Sequence, residues 1–229
     1  MSWKRYSCCA LPYCKEPAIP GSRYCRPHRR NHIYRGHPEQ RAIDDRVRKQ
    51  YREIARDFLQ ANADNEGLQA ALEEMSELFR FARHASSYLD AVGRQAGHMV
   101  RPSSAAGWGY LVNAVNRGLT ALEALEIILA VWLLALDRPR FLPPEASRLS
   151  PMWGTELSRS HGWPAKPVKS GQHAGQRRCE QGSAKTMRVI GDAIWERFSP
   201  LLTSAKMKID QDAAAAQTRR AALGATFNS

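Results

Sequence analysis

Between Cys9 and His28 the chain reads C-A-L-P-Y-C-K-E-P-A-I-P-G-S-R-Y-C-R-P-H, a C-x4-C-x10-C-x2-H spacing. Three thiolates and one imidazole complete a tetrahedral ligand set for Zn²⁺. The stretch holds too few apolar residues to order itself by burial, so the metal is expected to supply the folding free energy. Pro17, Pro20 and Gly21 let so short a segment turn back on itself. A set of four protein ligands leaves no open coordination position. The spacing therefore predicts a structural zinc module formed by Cys9, Cys14, Cys25 and His28, not a catalytic metal centre.

Two features of the stretch leave choices open. Cys8 in place of Cys9 gives C-x5-C, and His32 and His37 compete with His28 for the fourth position. Disulfide pairing is the rival use of clustered cysteines. The chain opens without a signal peptide, so a reducing, cytoplasmic setting is expected, and that favours metal over disulfide.

These residues also carry a resemblance. Cys9-x4-Cys14, the Pro/Gly loop, Arg23-Tyr24-Cys25-x-x-His28 and the exit Arg35-Gly36-His37-Pro38 resemble a small zinc motif of phage and bacterial mobile-element DNA-binding proteins. In those proteins the motif often precedes an HNH endonuclease domain. The resemblance covers about 30 residues and implies a DNA-associated role on a mobile element or phage. The nuclease is not implied with it. An HNH site needs a general-base His, a metal-binding His and an Asn on a hairpin and helix. The seven histidines here (28, 32, 37, 84, 98, 161 and 173) include no His-His or Asp-His pair.

Charge points the same way. Residues 1–60 hold 14 Lys and Arg against 6 Asp and Glu, a net +8 of the chain's +12. Excess concentrated beside a zinc knuckle suits a polyanion. Arg29, Arg30 and Arg35 directly after the knuckle, with Lys49 and Arg52 along the next helix, are the expected contacts to duplex DNA.

The remainder reads as mostly α. A zinc module over 1–37 is followed by a helical bundle over 38–140, an irregular or disordered linker over 141–185, and a C-terminal helix and tail over 186–229. Pro38 is suited to the first position of a helix whose apolar stripe is Ile43, Val47, Tyr51, Ile54 and Phe58. Asp64 or Asn65 caps a second helix reaching Val92, and the two are expected to form an antiparallel hairpin. A third runs from Ala105 to Asn116. Thr120-x-x-Glu123 is a capping box before a helix apolar nearly all round to Leu136, which belongs at the centre of a bundle. That helix carries no basic side chain to read bases, so a helix-turn-helix is excluded. Over 141–185 the aliphatic period disappears among Pro, Gly, Ser and Arg. A helix resumes near Thr186, with Pro200 expected to kink or restart it and the tail beyond Asp212 expected to fray.

No run approaches the roughly 20 apolar residues a bilayer crossing needs. P-loop, Rossmann and nucleophile-elbow signatures are absent. The sequence thus predicts a non-enzymatic, Zn²⁺-containing DNA-binding or DNA-associated accessory protein. The alternative is a zinc-stabilised helical adaptor whose bundle binds another protein or itself.

Overall fold

The structure is a computed structural model describing residues 8–95, 103–162, 165–167, 177–179 and 181–227. Among these are seven helices: α1 Arg26–Arg35, α2 Asp45–Ala61, α3 Glu66–Gln95, α4 Ser103–Asn116, α5 Ala121–Asp137, α6 Ala146–Arg159 and α7 Ala184–Phe227. Two three-residue strands, β1 Ala165–Pro167 and β2 Arg177–Cys179, pair antiparallel with Ala165 opposite Cys179. The mostly α class and the Cys/His segment ahead of the helical part stand as the sequence predicts.

Helix α5 is the axis of the bundle. Every residue from Ala124 to Ala135 is buried, and each Leu or Ile so placed contributes roughly 1.5–3 kcal/mol through removal from water. The capping box forms: Thr120 Oγ1 accepts from the Glu123 N–H at 3.2 Å, and Glu123 Oε2 accepts from the Thr120 N–H at 3.2 Å. Leu119, buried just ahead of the cap, anchors the entry to the helix.

Around this axis the packing departs from the expected hairpin. Helix α2 packs chiefly on α5 and α3 chiefly on α4, so the first two long helices are not each other's main partners. Helix α2 also starts later than Pro38. Asp44 is its N-cap, accepting from the Arg46 N–H at 2.9 Å. Its buried stripe is Tyr51, Ala55 and Leu59, and Ile54 is left 41% exposed. The fully buried Ala55, next in sequence to Ile54, takes the place in the stripe that Ile54 was expected to hold. Asn65 caps α3 as expected, its Oδ1 accepting from the Gly67 N–H at 2.9 Å.

The largest correction falls in the segment predicted to be an irregular linker. Residues 146–159 form α6, and Ser150 to Ser158 are buried without interruption. Trp153 is fully enclosed and its Nε1–H donates to the Ile128 carbonyl of α5 at 3.0 Å. The aliphatic period is missing because α6 meets α7 nearly backbone to backbone. A Cβ on Gly154 would collide with the Met187 carbonyl, and one on Gly191 with the Ser150 carbonyl. Small residues at such a crossing replace the Leu and Ile by which a core helix is recognised in sequence.

Pro151 lies within α6 and cannot donate to the Ser147 carbonyl four residues earlier. The Arg188 guanidinium from α7 donates to that carbonyl instead, at 3.4 Å. Helix α7 passes through Pro200 without ending and continues to Phe227, so neither the expected restart nor the loss of helix after Asp212 is seen. Most of 163–180, the rest of the segment expected to be irregular, lies outside the described residues.

Candidate metal centre and basic helix

The Cys/His segment is built by turns that bring distant ligands together. Cys14 N–H donates to the Leu11 carbonyl at 2.9 Å, closing the first turn. Ser22 N–H donates to the Ile19 carbonyl at 3.0 Å across Pro20-Gly21. With Gly21 at φ +73° this is the type II arrangement, which needs glycine at its third position. The two arms are tied by Cys9 N–H to the Glu16 carbonyl at 3.0 Å and Ala10 N–H to the Arg23 carbonyl at 2.7 Å.

Cys25 then serves as N-cap of α1, with Pro27 in the first turn, where a missing N–H costs nothing. One turn of helix carries His28 back over Cys25, so the C-x2-H spacing places both ligands on one face. Cys25 Sγ lies 3.1 Å from His28 Nδ1, Cys9 Sγ 3.4 Å from the same nitrogen, and Cys14 Sγ 3.8 Å from Cys25 Sγ. All four donor atoms lie within 4.8 Å of one another. Bonds of about 2.3 Å to sulfur and about 2.0 Å to nitrogen give tetrahedral edges of roughly 3.8 Å for S···S and 3.5 Å for S···N. The cluster is close to that size and can hold a metal ion.

Position separates the candidate ligands. Cys9 is buried within the cluster, whereas Cys8 is exposed and outside it. His32 packs against Tyr24 with ring centroids 5.4 Å apart. His37 stands beside Glu39 at 3.9 Å, its pKa lowered by burial and by Arg148. Neither histidine joins the group.

The thiols differ in their readiness to ionise. Burial pushes Cys9 up, but the Leu11 and Cys25 N–H groups, with His28 and Cys14, outweigh it and bring the thiol down to about 6. For Cys14 the Glu16 N–H lowers the value, yet burial and the neighbouring sulfurs of Cys25 and Cys9 leave it raised. A lowered Cys9 beside a raised Cys14 is in keeping with a site where metal binding is coupled to deprotonation. Tyr13 closes one side, its ring edge-on to His28 at 6.2 Å. Its hydroxyl donates to Glu39 at 2.8 Å, a bond that pushes the phenol up to about 12.

Helix α1 leaves the cluster and docks on the bundle. Gly36 ends it in the left-handed region at φ +81°, its N–H donating to the His32 carbonyl at 3.1 Å. A Cβ there would stand 3.1 Å from Pro151 Cγ and 3.6 Å from Ala184 Cβ. The end of α1 is thus seated where α6 meets α7.

The five basic residues singled out in the sequence fall into different settings. Arg29 and Arg30 are exposed on α1, with Arg26 one turn earlier, and the helix contains no acidic residue. Arg35 is partly buried and donates to the Asn31 side chain of its own helix. Lys49 is exposed, 4.0 Å from Glu53. Arg52 is directed inward. Its Nε donates to Glu126 Oε1 at 2.6 Å, and Arg56 reaches the same carboxylate at 3.0 and 3.1 Å. Arg48 similarly donates to the buried Glu156 at 2.6 Å and to the Ile43 carbonyl at 2.9 Å.

Sequence reasoning missed this use of the α2 arginines. Glu126 and Glu156, each about 5% exposed or less, are brought from 70 to 108 residues away. The available signal was Glu126 itself, a carboxylate inside a helix apolar on every other face.

No known protein family, curated protein or solved structure matches the chain. Among the described residues no helix is long and apolar enough to cross a membrane.

Proposed function

We propose that this is a non-enzymatic, zinc-stabilised DNA-binding or DNA-associated accessory protein of a bacterial mobile element or phage. The observation that carries the reading is α1: Arg26, Arg29 and Arg30 occupy one exposed face at i, i+3 and i+4, directly beside the Cys/His cluster. No carboxylate pairs with them among the described residues. Three thiolates and one imidazole suit Zn²⁺ better than harder cations. The ion would hold the start of α1 and so fix the direction of its arginines. Arg52 and Arg48, bound to buried carboxylates, are left out of the interface; Lys49 is retained as a peripheral contact.

Fluorescence anisotropy on duplex DNA across a salt series tests this. Log K falls by about 0.9 for each log unit of salt per phosphate neutralised, so replacing Arg29 and Arg30 by Gln flattens the slope by about two. The loss is equal for all sequences, because phosphate contacts position without specifying. No binding at about 50 mM salt would eliminate the DNA reading.

In that event the adaptor reading takes its place. A specific feature favours it: Phe81, Tyr88 and Val92 lie at i, i+7 and i+11 of α3 and are 46%, 61% and 41% exposed. That apolar stripe suits a protein partner or a second copy of the chain.

A further inference from the structure

Where α2, α5 and α6 meet, the fold forms a half-open cavity of about 360 Å³, within the roughly 300–1,000 Å³ typical of small-molecule sites. Its floor is apolar, made by Ile127, Ala130, Val131 and Leu134 of α5 with Ile43 beside them. Its titratable lining is Asp45, Arg48, Tyr51, Arg52, Glu156 and Arg159. We propose that this cavity binds a small organic anion, with a carboxylate or phosphate held by Arg52 and Arg159 and an apolar body on the α5 floor.

The argument rests on which donors are already used. Arg48 is committed: Nε to Glu156, Nη2 to the Ile43 carbonyl and Nη1 to Asp45. Tyr51 donates its hydroxyl to Asp137. Arg52, by contrast, donates only through Nε, to Glu126, which leaves both terminal NH₂ groups of a five-donor side chain unspent. Arg159 makes no hydrogen bond among the described residues, and its nearest carboxylate oxygens, on Asp45 and Glu156, are both 3.6 Å away. Two guanidiniums with spare donors thus face one partly enclosed space, and paired N–H donors of this kind match the geometry of carboxylate and phosphate.

This inference is independent of the DNA reading, since neither Arg52 nor Arg159 belongs to the exposed face of α1.

The test is titration of the full-length, metal-loaded protein with 8-anilinonaphthalene-1-sulfonate, an amphipathic anion that fluoresces on entering an apolar site. One dye binds per chain, and affinity falls about tenfold in both Arg159→Gln, which removes a charge, and Val131→Trp, which fills the floor. Arg46→Gln, an exposed control on α2, leaves it unchanged. Octanoate displaces the dye if the head group is a carboxylate, and adenosine 5′-monophosphate displaces it if a phosphate. If Val131→Trp fails to fold, Arg159→Gln at the surface decides alone. Absence of saturable binding up to about 1 mM, binding indifferent to Arg159→Gln, or displacement by neither competitor overturns the proposal.

Discussion

The buried carboxylate of Glu126 offers the sharpest check on how charge is used in this fold. It lies 5% exposed on the central helix, and its three contacts to Arg52 and Arg56 span 2.6–3.1 Å. Replacing Arg52 alone by Met leaves Arg56 in place and removes one charge-assisted hydrogen bond, worth about 1.5–3 kcal/mol. Replacing both arginines leaves the carboxylate buried without a counter-charge, a loss of about 3–5 kcal/mol. Adding Glu126→Leu to that double variant removes the stranded charge and restores most of the loss, because an apolar side chain at this site matches the rest of α5. Urea unfolding of the four proteins reads these differences as shifts in midpoint at constant slope. A double variant as stable as wild type, or a triple variant no better than the double, would refute the assignment. Duplex DNA affinity supplies an orthogonal reading: the single Arg52 variant should bind as wild type does.

Purified protein should carry one zinc ion per chain by elemental analysis. Cys25→Ser loses it and disorders residues 8–37 while most of the helical signal survives; Cys8→Ser keeps it. Glu123 gives a pH test. Burial raises its carboxyl, but the Thr120 N–H and His161 outweigh this and hold it below its ordinary value. A depressed folded-state value stabilises the protein above the unfolded pKa of about 4.3, and that contribution is lost as pH falls through the folded value. The stability gap between wild type and Glu123→Gln, measured by urea titration, therefore narrows from pH 7 to pH 3; a constant gap contradicts the coupling. Gly154→Ala forces a methyl group into the Met187 carbonyl. It should cost at least about 1–3 kcal/mol in the same assay, whereas Gly21→Ala, with open space around it, shows only the cost of its positive φ.

The parts of the fold legible in the sequence were those stabilised by large apolar side chains or by capping chemistry. The Thr120–Glu123 box and the apolar run after it mark α5 unambiguously, because its surroundings are core on every side. Asn65 marks α3 for the same local reason. Helix α6 was illegible because its contact with α7 runs through Ser150, Gly154 and Gly191, where close approach requires the absence of side chains. A hydrophobic period records burial only where burial is achieved with bulk. Pro151 adds to the disguise: it ordinarily argues against a helix, and its tolerance depends on Arg188, 37 positions further on, meeting the carbonyl it leaves free.

The candidate metal ligands were legible for a different reason. Their spacing encodes a local turn and one helical turn, so Cys25 and His28 converge whatever the rest of the chain does. The basic residues carry no such local code. An arginine's role is set by whether a carboxylate reaches it, and the carboxylates that reach α2 come from α5 and α6. The net +8 of residues 1–60 thus overstates the charge available to a partner. Glu126 and Glu156 fold into that half of the molecule and neutralise its inner face, while α1, with no acidic residue of its own and none brought to Arg29 or Arg30 among the described residues, keeps its charge. Charge counted along a chain marks a candidate polyanion site only after the fold has matched each arginine to its carboxylate, and here that matching takes Arg52 out of the expected contacts while Arg29 and Arg30 stay exposed.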